Sequence, residues 1–194
     1  MLPLKRWHCS GTLSSEAAAI RPPHEEIYMP AFEPYTHETP NPLDRVERLA
    51  ENHNWNVDRT NDHEVLMLVG GSWADLNLSF TWRDDLESLH FACILDLKVP
   101  EKRHDEVARL LALINSQMMH GHFDLWTTDG SIVYRYGLLL AGGAQANDAQ
   151  CEAIIKIGVE ASQRYYPAIQ FVIWAGHTAE EALENAMLET QGEA

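Results

Sequence analysis

From Pro42 onward the apolar positions follow two alternating rhythms. The stripe Leu43, Val46, Leu49, Ala50 and His53 recurs at helical spacing, which predicts a first helix opening at Pro42. The period then drops to two. Glu64 to Val69 reads as a strand, and Gly70-Gly71-Ser72 turns it. Leu76, Leu78 and Phe80 alternate with Asn77, Ser79 and Thr81, as a half-buried strand should. Arg83-Asp84-Asp85 turns the chain again, and Leu89 to Leu97 forms a third strand. Three strands joined by short turns predict an antiparallel meander.

Helical spacing returns after Pro100, a residue pre-organised for the first turn of a helix. Val107, Leu110, Leu111, Ile114 and Met118 mark the buried stripe, and Gly121 is the natural stop. Two alternating runs, Phe123 to Thr128 and Ser131 to Tyr136, then flank Asp129-Gly130. A two-residue Asp-Gly loop favours a type I′ hairpin. That register sets Phe123 opposite Tyr136, Leu125 opposite Tyr134 and Asp124 opposite Arg135, which gives one apolar face and one with a charge pair. Asn147 caps a helix carrying Cys151, Ile154, Ile155, Gly158 and Ala161, which Tyr165-Tyr166-Pro167 is expected to break. Ile169 to Ala175 is a short apolar segment ended by Gly176. Thr178 and Glu181 form a capping box for a last helix with Ala182, Leu183, Ala186 and Met187.

The expected class is α+β: an antiparallel sheet packed against helices, in the order α-βββ-α-ββ-α with extra C-terminal helices. Residues 1–40 differ. They show no sustained periodicity and cluster Pro22, Pro23, Pro30, Pro34 and Pro40, so they read as a flexible or loosely docked arm before a domain at 41–194. Tyr28, Phe32 and Tyr35 are its apolar anchors, and Met29 offers an alternative start.

Composition narrows the function. With 194 residues, 45% hydrophobic and 22% charged, the chain can build a full core without staples. Acidic residues outnumber basic ones 29 to 14, a net charge of −15, which opposes binding to nucleic acid or anionic membranes. No apolar run reaches membrane-spanning length, and no uninterrupted apolar stretch follows Met1, so a cytoplasmic chain is expected. Cys9, Cys93 and Cys151 are widely separated and form no disulfide or zinc pattern; Cys93 and Cys151 fit as small core residues.

Candidate chemistry is sparse. Among ten histidines, His120 and His122 form the only close pair, with Gly121 between them and no third ligand at a recognisable spacing. His120 fits better as a helix C-terminal residue favoured by the dipole. Gly70-Gly71 and Gly142-Gly143 match no phosphate loop, no nucleophile elbow occurs, and Asp44, Asp84, Asp85 and Asp129 suit turns and caps. No catalytic residue, cofactor or metal site is therefore assigned. Six tryptophans are many for this length, and Trp82, Trp126 and Trp174 sit in apolar segments where core anchoring is the ordinary role. Trp126 is the exception. In the hairpin it faces away from Phe123, Leu125, Tyr134 and Tyr136, beside Val133 and the Asp124–Arg135 pair. These four residues, with Trp174 as a second patch, are the candidate interface.

Several strings together resemble one family: Pro40-Asn41-Pro42-Leu43-Asp44, Trp82-Arg83-Asp84, Ala112-Leu113-Ile114-Asn115, Gly121-His122-Phe123-Asp124-Leu125-Trp126 and Arg164-Tyr165-Tyr166-Pro167-Ala168. They look like the YbjN family, whose members are described as bacterial sensory transduction regulators. The resemblance runs from about Glu26 to the C-terminus. It implies a fold similar to type III secretion chaperones and brings no catalytic residues. Two readings follow: a protein-binding regulator or chaperone-like binder, expected as a homodimer with an unnamed protein partner, or an enzyme with an unrecognised site. A deep polar pocket with converging titratable groups would favour the enzyme, and a flat or grooved apolar patch the binder.

Overall fold

The structure is a computed structural model that describes residues 40–191, with side chains described as far as Ala186. The expected arm, apart from Pro40, and the alternative start at Met29 lie outside the described residues. The elements are α1 (Pro42–Asn52), β1 (Asn56–Asn61), β2 (Glu64–Val69), β3 (Leu76–Arg83), β4 (Ser88–Lys98), α2 (His104–Asn115), β5 (His122–Trp126), β6 (Ser131–Leu139), α3 (Asp148–Gln170) and α4 (Ala179–Gln191). The strands form one sheet in the order β1-β2-β3-β4-β6-β5, and every neighbouring pair is antiparallel. The α+β class is as the pattern predicts, and the meander has four strands rather than three.

The added strand, β1, carries almost no apolar signal. Its sequence is Asn-Val-Asp-Arg-Thr-Asn, with only Val57 packed against the core. It is held by its ladder to β2 and by Arg59, whose Nη1 donates to Asp44 Oδ1 at 2.9 Å and to Glu47 Oε2 at 3.2 Å on α1. Polar ties to a helix leave no period-two trace of hydrophobicity.

All four helices feed one apolar cluster with the inward side chains of the sheet, so one sheet face is covered. At its centre Phe91 packs at 4.9 Å from Phe80 and 6.2 Å from Tyr134 between ring centroids, and Phe123 lies edge-on to Tyr134 at 5.4 Å and to Tyr165 at 6.0 Å. Edge-to-face pairs of this kind add about 0.5–1.5 kcal/mol each beyond their buried area. Helix α3 comes close to this cluster at Gly158, where an added Cβ would lie 2.3 Å from Phe91 Cε1.

Two local expectations are corrected. Helix α3 runs through Tyr165-Tyr166-Pro167 to Gln170, then widens into a π turn at Phe171–Ala175 that Gly176 ends at φ 77°. Proline forfeits one hydrogen bond, but Tyr165, Tyr166, Ala168 and Ile169 are all buried, and that packing outweighs the local cost. The hairpin loop spans four residues, Thr127–Gly130, rather than two. Trp126 O accepts from Asp129 N at 3.3 Å and from Gly130 N at 2.8 Å, and the register becomes Phe123 opposite Tyr134 and Asp124 opposite Val133. The shift is an even number of residues, so every side chain keeps its expected face. Asp129 does not sit in the first central position of a tight turn. Its carboxylate accepts from Ser131 N at 3.2 Å, Ser131 Oγ at 2.5 Å and Lys98 Nζ at 2.6 Å, which ties the loop to β4. Gly130 has the expected positive φ, 72°, and a Cβ there would lie 2.5 Å from Val99 O.

The segment between α2 and β5 also differs. Helix α2 starts at His104, after a turn at Glu101–Arg103, and stops at Asn115, so His120 is beyond the helix end. Its carbonyl accepts from Tyr134 Oη at 3.1 Å. Gly121 (φ 64°) lies against that same ring; a Cβ would sit 2.2 Å from Tyr134 Oη. The last helix begins as its capping box predicts: Thr178 Oγ1 accepts from Glu181 N, and Glu181 Oε2 accepts from Thr178 N. It is also tied to α2. Glu106 Oε1 accepts from Ala179 N at 2.6 Å, and Arg109 donates to Glu180 Oε1 through Nε at 3.0 Å and Nη2 at 2.6 Å.

Candidate interaction face

With the helices on one side, the other side of the sheet has no described helix over it. The register arranges its outward side chains in rows. One row crosses Asn56, Leu68, Asn77, Ile94, Val133 and Asp124; the next crosses Asp58, Leu66, Ser79, Ala92, Arg135 and His122. Leu66 is 39% exposed and Leu68 41% on β2; Trp126, 44% exposed, stands opposite Ser131 at one end of β6, and Leu139, 68% exposed, is at the other end. Outward apolar residues on a sheet face are candidates for contact with another surface where they lie together, as Leu66 and Leu68 do.

Among these residues lies a polar cluster. Arg135 Nη1 donates to Asp124 Oδ2 at 2.8 Å, and Nη2 lies 3.5 Å from His90 Nε2. His122 Nε2 is 3.5 Å from the same Asp124 oxygen. Burial, then the charges of Arg135, His122 and Arg83, push the His90 pKa below its usual value, so at neutral pH it stays uncharged. Asp124 and Arg135 thus meet diagonally, although the register places neither opposite the other. Among the described residues no group of three His, Cys, Asp or Glu side chains is placed to hold a metal ion.

The candidate residues separate into three situations. Trp126, Asp124 and Arg135 share the uncovered face. Val133 shares it too but is fully buried, between Ile94 and Asp124 on the register with Trp126 on a diagonal, so it supports the face without presenting itself. Trp174 is 68% exposed but belongs to the π turn after α3, away from the sheet. Trp82 is partly buried against the core. The pattern analysis missed Leu66, Leu68, Leu139 and His90. The signal was present in Val65 to Val69: five apolar residues in a row must send two outward when one face is already covered.

Two other features are candidates for chemistry. A cleft of about 440 Å³ at the end of the sheet is lined by Trp82, Leu140, Arg45, Arg48, Asp84 and Glu87, among others. Its cations are committed: Arg45 and Arg48 approach Asp148 Oδ1 at 2.7 and 3.4 Å, and Arg45 foremost pulls the Asp148 pKa down. Glu87 accepts from Gly142 N at 3.2 Å. Cys93 is buried and accepts from Ser162 Oγ at 3.2 Å; burial pushes its thiol up to about 11, which makes it a poor nucleophile. The exposed edge of β5 is closed from within. Asn115 Nδ2 donates to Phe123 O at 3.0 Å, and Asn115 Oδ1 accepts from Phe123 N at 2.8 Å, as a neighbouring strand would.

Fold and site define a class: a two-layer α+β domain with helices on one sheet face and a mixed apolar and charged surface on the other. A family model described as "Putative bacterial sensory transduction regulator" matches residues 42–171, and the chain belongs to that family, YbjN. Among solved structures it is similar to "YbjN, a putative transcription regulator from E. coli", with 12% identity and a TM-score of 0.47, covering 62% of this chain and 85% of that one. No curated protein matches. No described helix is long and apolar enough to cross a membrane.

Proposed function

We propose that this chain is a non-enzymatic cytoplasmic regulator that binds protein through the uncovered face of its sheet, and that it works as a homodimer. The observation that carries this reading is the exposure of Leu66, Leu68, Trp126 and Leu139 on one face that no described helix covers. Aromatic and aliphatic anchors around polar pairs suit recognition of another protein surface. The family's description as a regulator agrees. The commitment of the cleft cations to Asp148, and the raised Cys93 thiol, speak against a catalytic reading.

The test compares two baits in affinity capture from a bacterial lysate: the native chain and a Leu66→Lys, Leu68→Lys variant checked for native circular dichroism. The expected result is a protein, a second copy of this chain included, that co-purifies with the native bait and is lost with the variant. Identical capture by both baits would place binding elsewhere.

A further inference from the structure

We propose that the occupant of this face is a second copy of the chain, docked sheet to sheet, with a two-fold axis perpendicular to the strands and passing between the two central rows. This rests on the homodimer part of the reading above and specifies which side chains meet.

Charge limits which surfaces of two copies can meet. Two copies at −15 each repel as wholes. On the face that no described helix covers, Asp58, Glu64, Asp96 and Asp124 are nearly balanced by Arg83, Lys98 and Arg135, all outward by strand alternation. This face is close to neutral, with its cations and anions interspersed, so a second acidic chain can approach it.

The rows then decide the alignment. A two-fold axis between them lays one row of each copy on the other row of its partner. Leu68 meets Leu66, Ile94 meets Ala92, and Asn77 meets Ser79. Asp124 meets His122, and Arg135 falls over the position of Val133, which is already buried within its own chain. Each contact occurs twice, as an isologous interface requires. Outside that one pair, apolar falls on apolar, polar on polar, and a carboxylate on an imidazole. A two-fold axis along β4 instead brings β2 onto β5 and places Leu68 on Asp124, so it loses this match. The area suffices. Six strands at about 4.8 Å spacing and about 20 Å of paired length give a flat footprint of roughly 500 Å². Side-chain relief brings that toward the ~800 Å² per partner of a standard interface.

The experiment is sedimentation equilibrium on the full chain and on outward variants that retain native circular dichroism. The native chain is expected at dimer mass. Leu66→Arg and Ala92→Arg, each near the axis, should weaken association by about 100-fold or more, because each buries an unpaired charge twice. If Ala92→Arg fails to fold, Leu66→Arg decides. The sign of one pair tests the alignment itself: His122→Lys should tighten the dimer against the partner's Asp124, and His122→Glu should loosen it. A native dimer indifferent to all four changes overturns this docking while leaving the homodimer standing. A native monomer at tens of micromolar overturns both.

Discussion

Gly158 offers a quantitative test of how closely α3 lies on the sheet. Glycine in the middle of a helix costs about 1 kcal/mol relative to alanine, so Gly158→Ala would stabilise an exposed position by about that amount. Here the added methyl would stand 2.3 Å from Phe91 Cε1, 2.9 Å from Cζ and 3.1 Å from Tyr134 Cε1. Carbon contacts favour about 3.5–4.0 Å, so the ring or the helix must yield by more than about 1 Å. Phe91 is fully buried and held between Phe80 and Tyr134, and the nearest atoms belong to a ring rather than to the end of a flexible chain. Overpacking of this kind costs about 1–3 kcal/mol, occasionally more. The strain is therefore expected to match or exceed the propensity gain, with a net loss of up to about 2 kcal/mol in urea titration. A double-mutant cycle isolates the cause. In a Phe91→Leu background the steric term should largely vanish, and Gly158→Ala should become neutral or slightly stabilising. If Gly158→Ala stabilises the native background, the close approach of α3 to β4 is wrong.

Three further expectations follow from individual groups. Asn115→Ala removes both bonds that close the β5 edge and should cost about 2 kcal/mol, with faster exchange of the Phe123 amide; unchanged exchange would mean that another group covers the edge. Lys98, with Ser131, holds the Asp129 carboxyl down at about 2, below its ordinary 3.8. A depressed folded-state pKa stabilises above the unfolded value and loses that contribution as pH falls through the folded one. The stability difference between native and Asp129→Asn should therefore be full at pH 6, shrink between about pH 4 and 2 and vanish below; a pH-independent difference would refute the Lys98–Asp129 link. Cys93 should resist iodoacetamide at pH 8 in the folded chain and react on denaturation, and rapid labelling of the native protein would contradict its burial.

The core was legible because it is periodic. Leu43, Val46, Leu49 and Ala50, the alternation of β3, and the stripe of α2 fall where a single covered sheet face requires them. What was not legible was written in polar or long-range terms. Strand β1 depends on Arg59 reaching α1. The continuation of α3 past Pro167 depends on the buried side chains around it. The four-residue hairpin loop depends on Asp129 meeting Lys98 from another strand. The site was half visible: an even register error kept Trp126 on its correct face, but the outward Leu66 and Leu68 could be seen only once the helices were known to lie on the other side.

Glu106 stands in the first turn of α2 and also takes the amide of Ala179, the first residue of α4, so one carboxylate serves the positive ends of two helices. The start of α4 is thus completed by a group 73 residues earlier in the chain. Its own stretch carries small residues inward, Ala179, Ala182 and Ala186, which bury little area by themselves. A helix so equipped has little reason to form in isolation. Docking onto α2 thus supplies what the stretch lacks by itself, and a peptide of residues 178–191 alone should remain a coil in water.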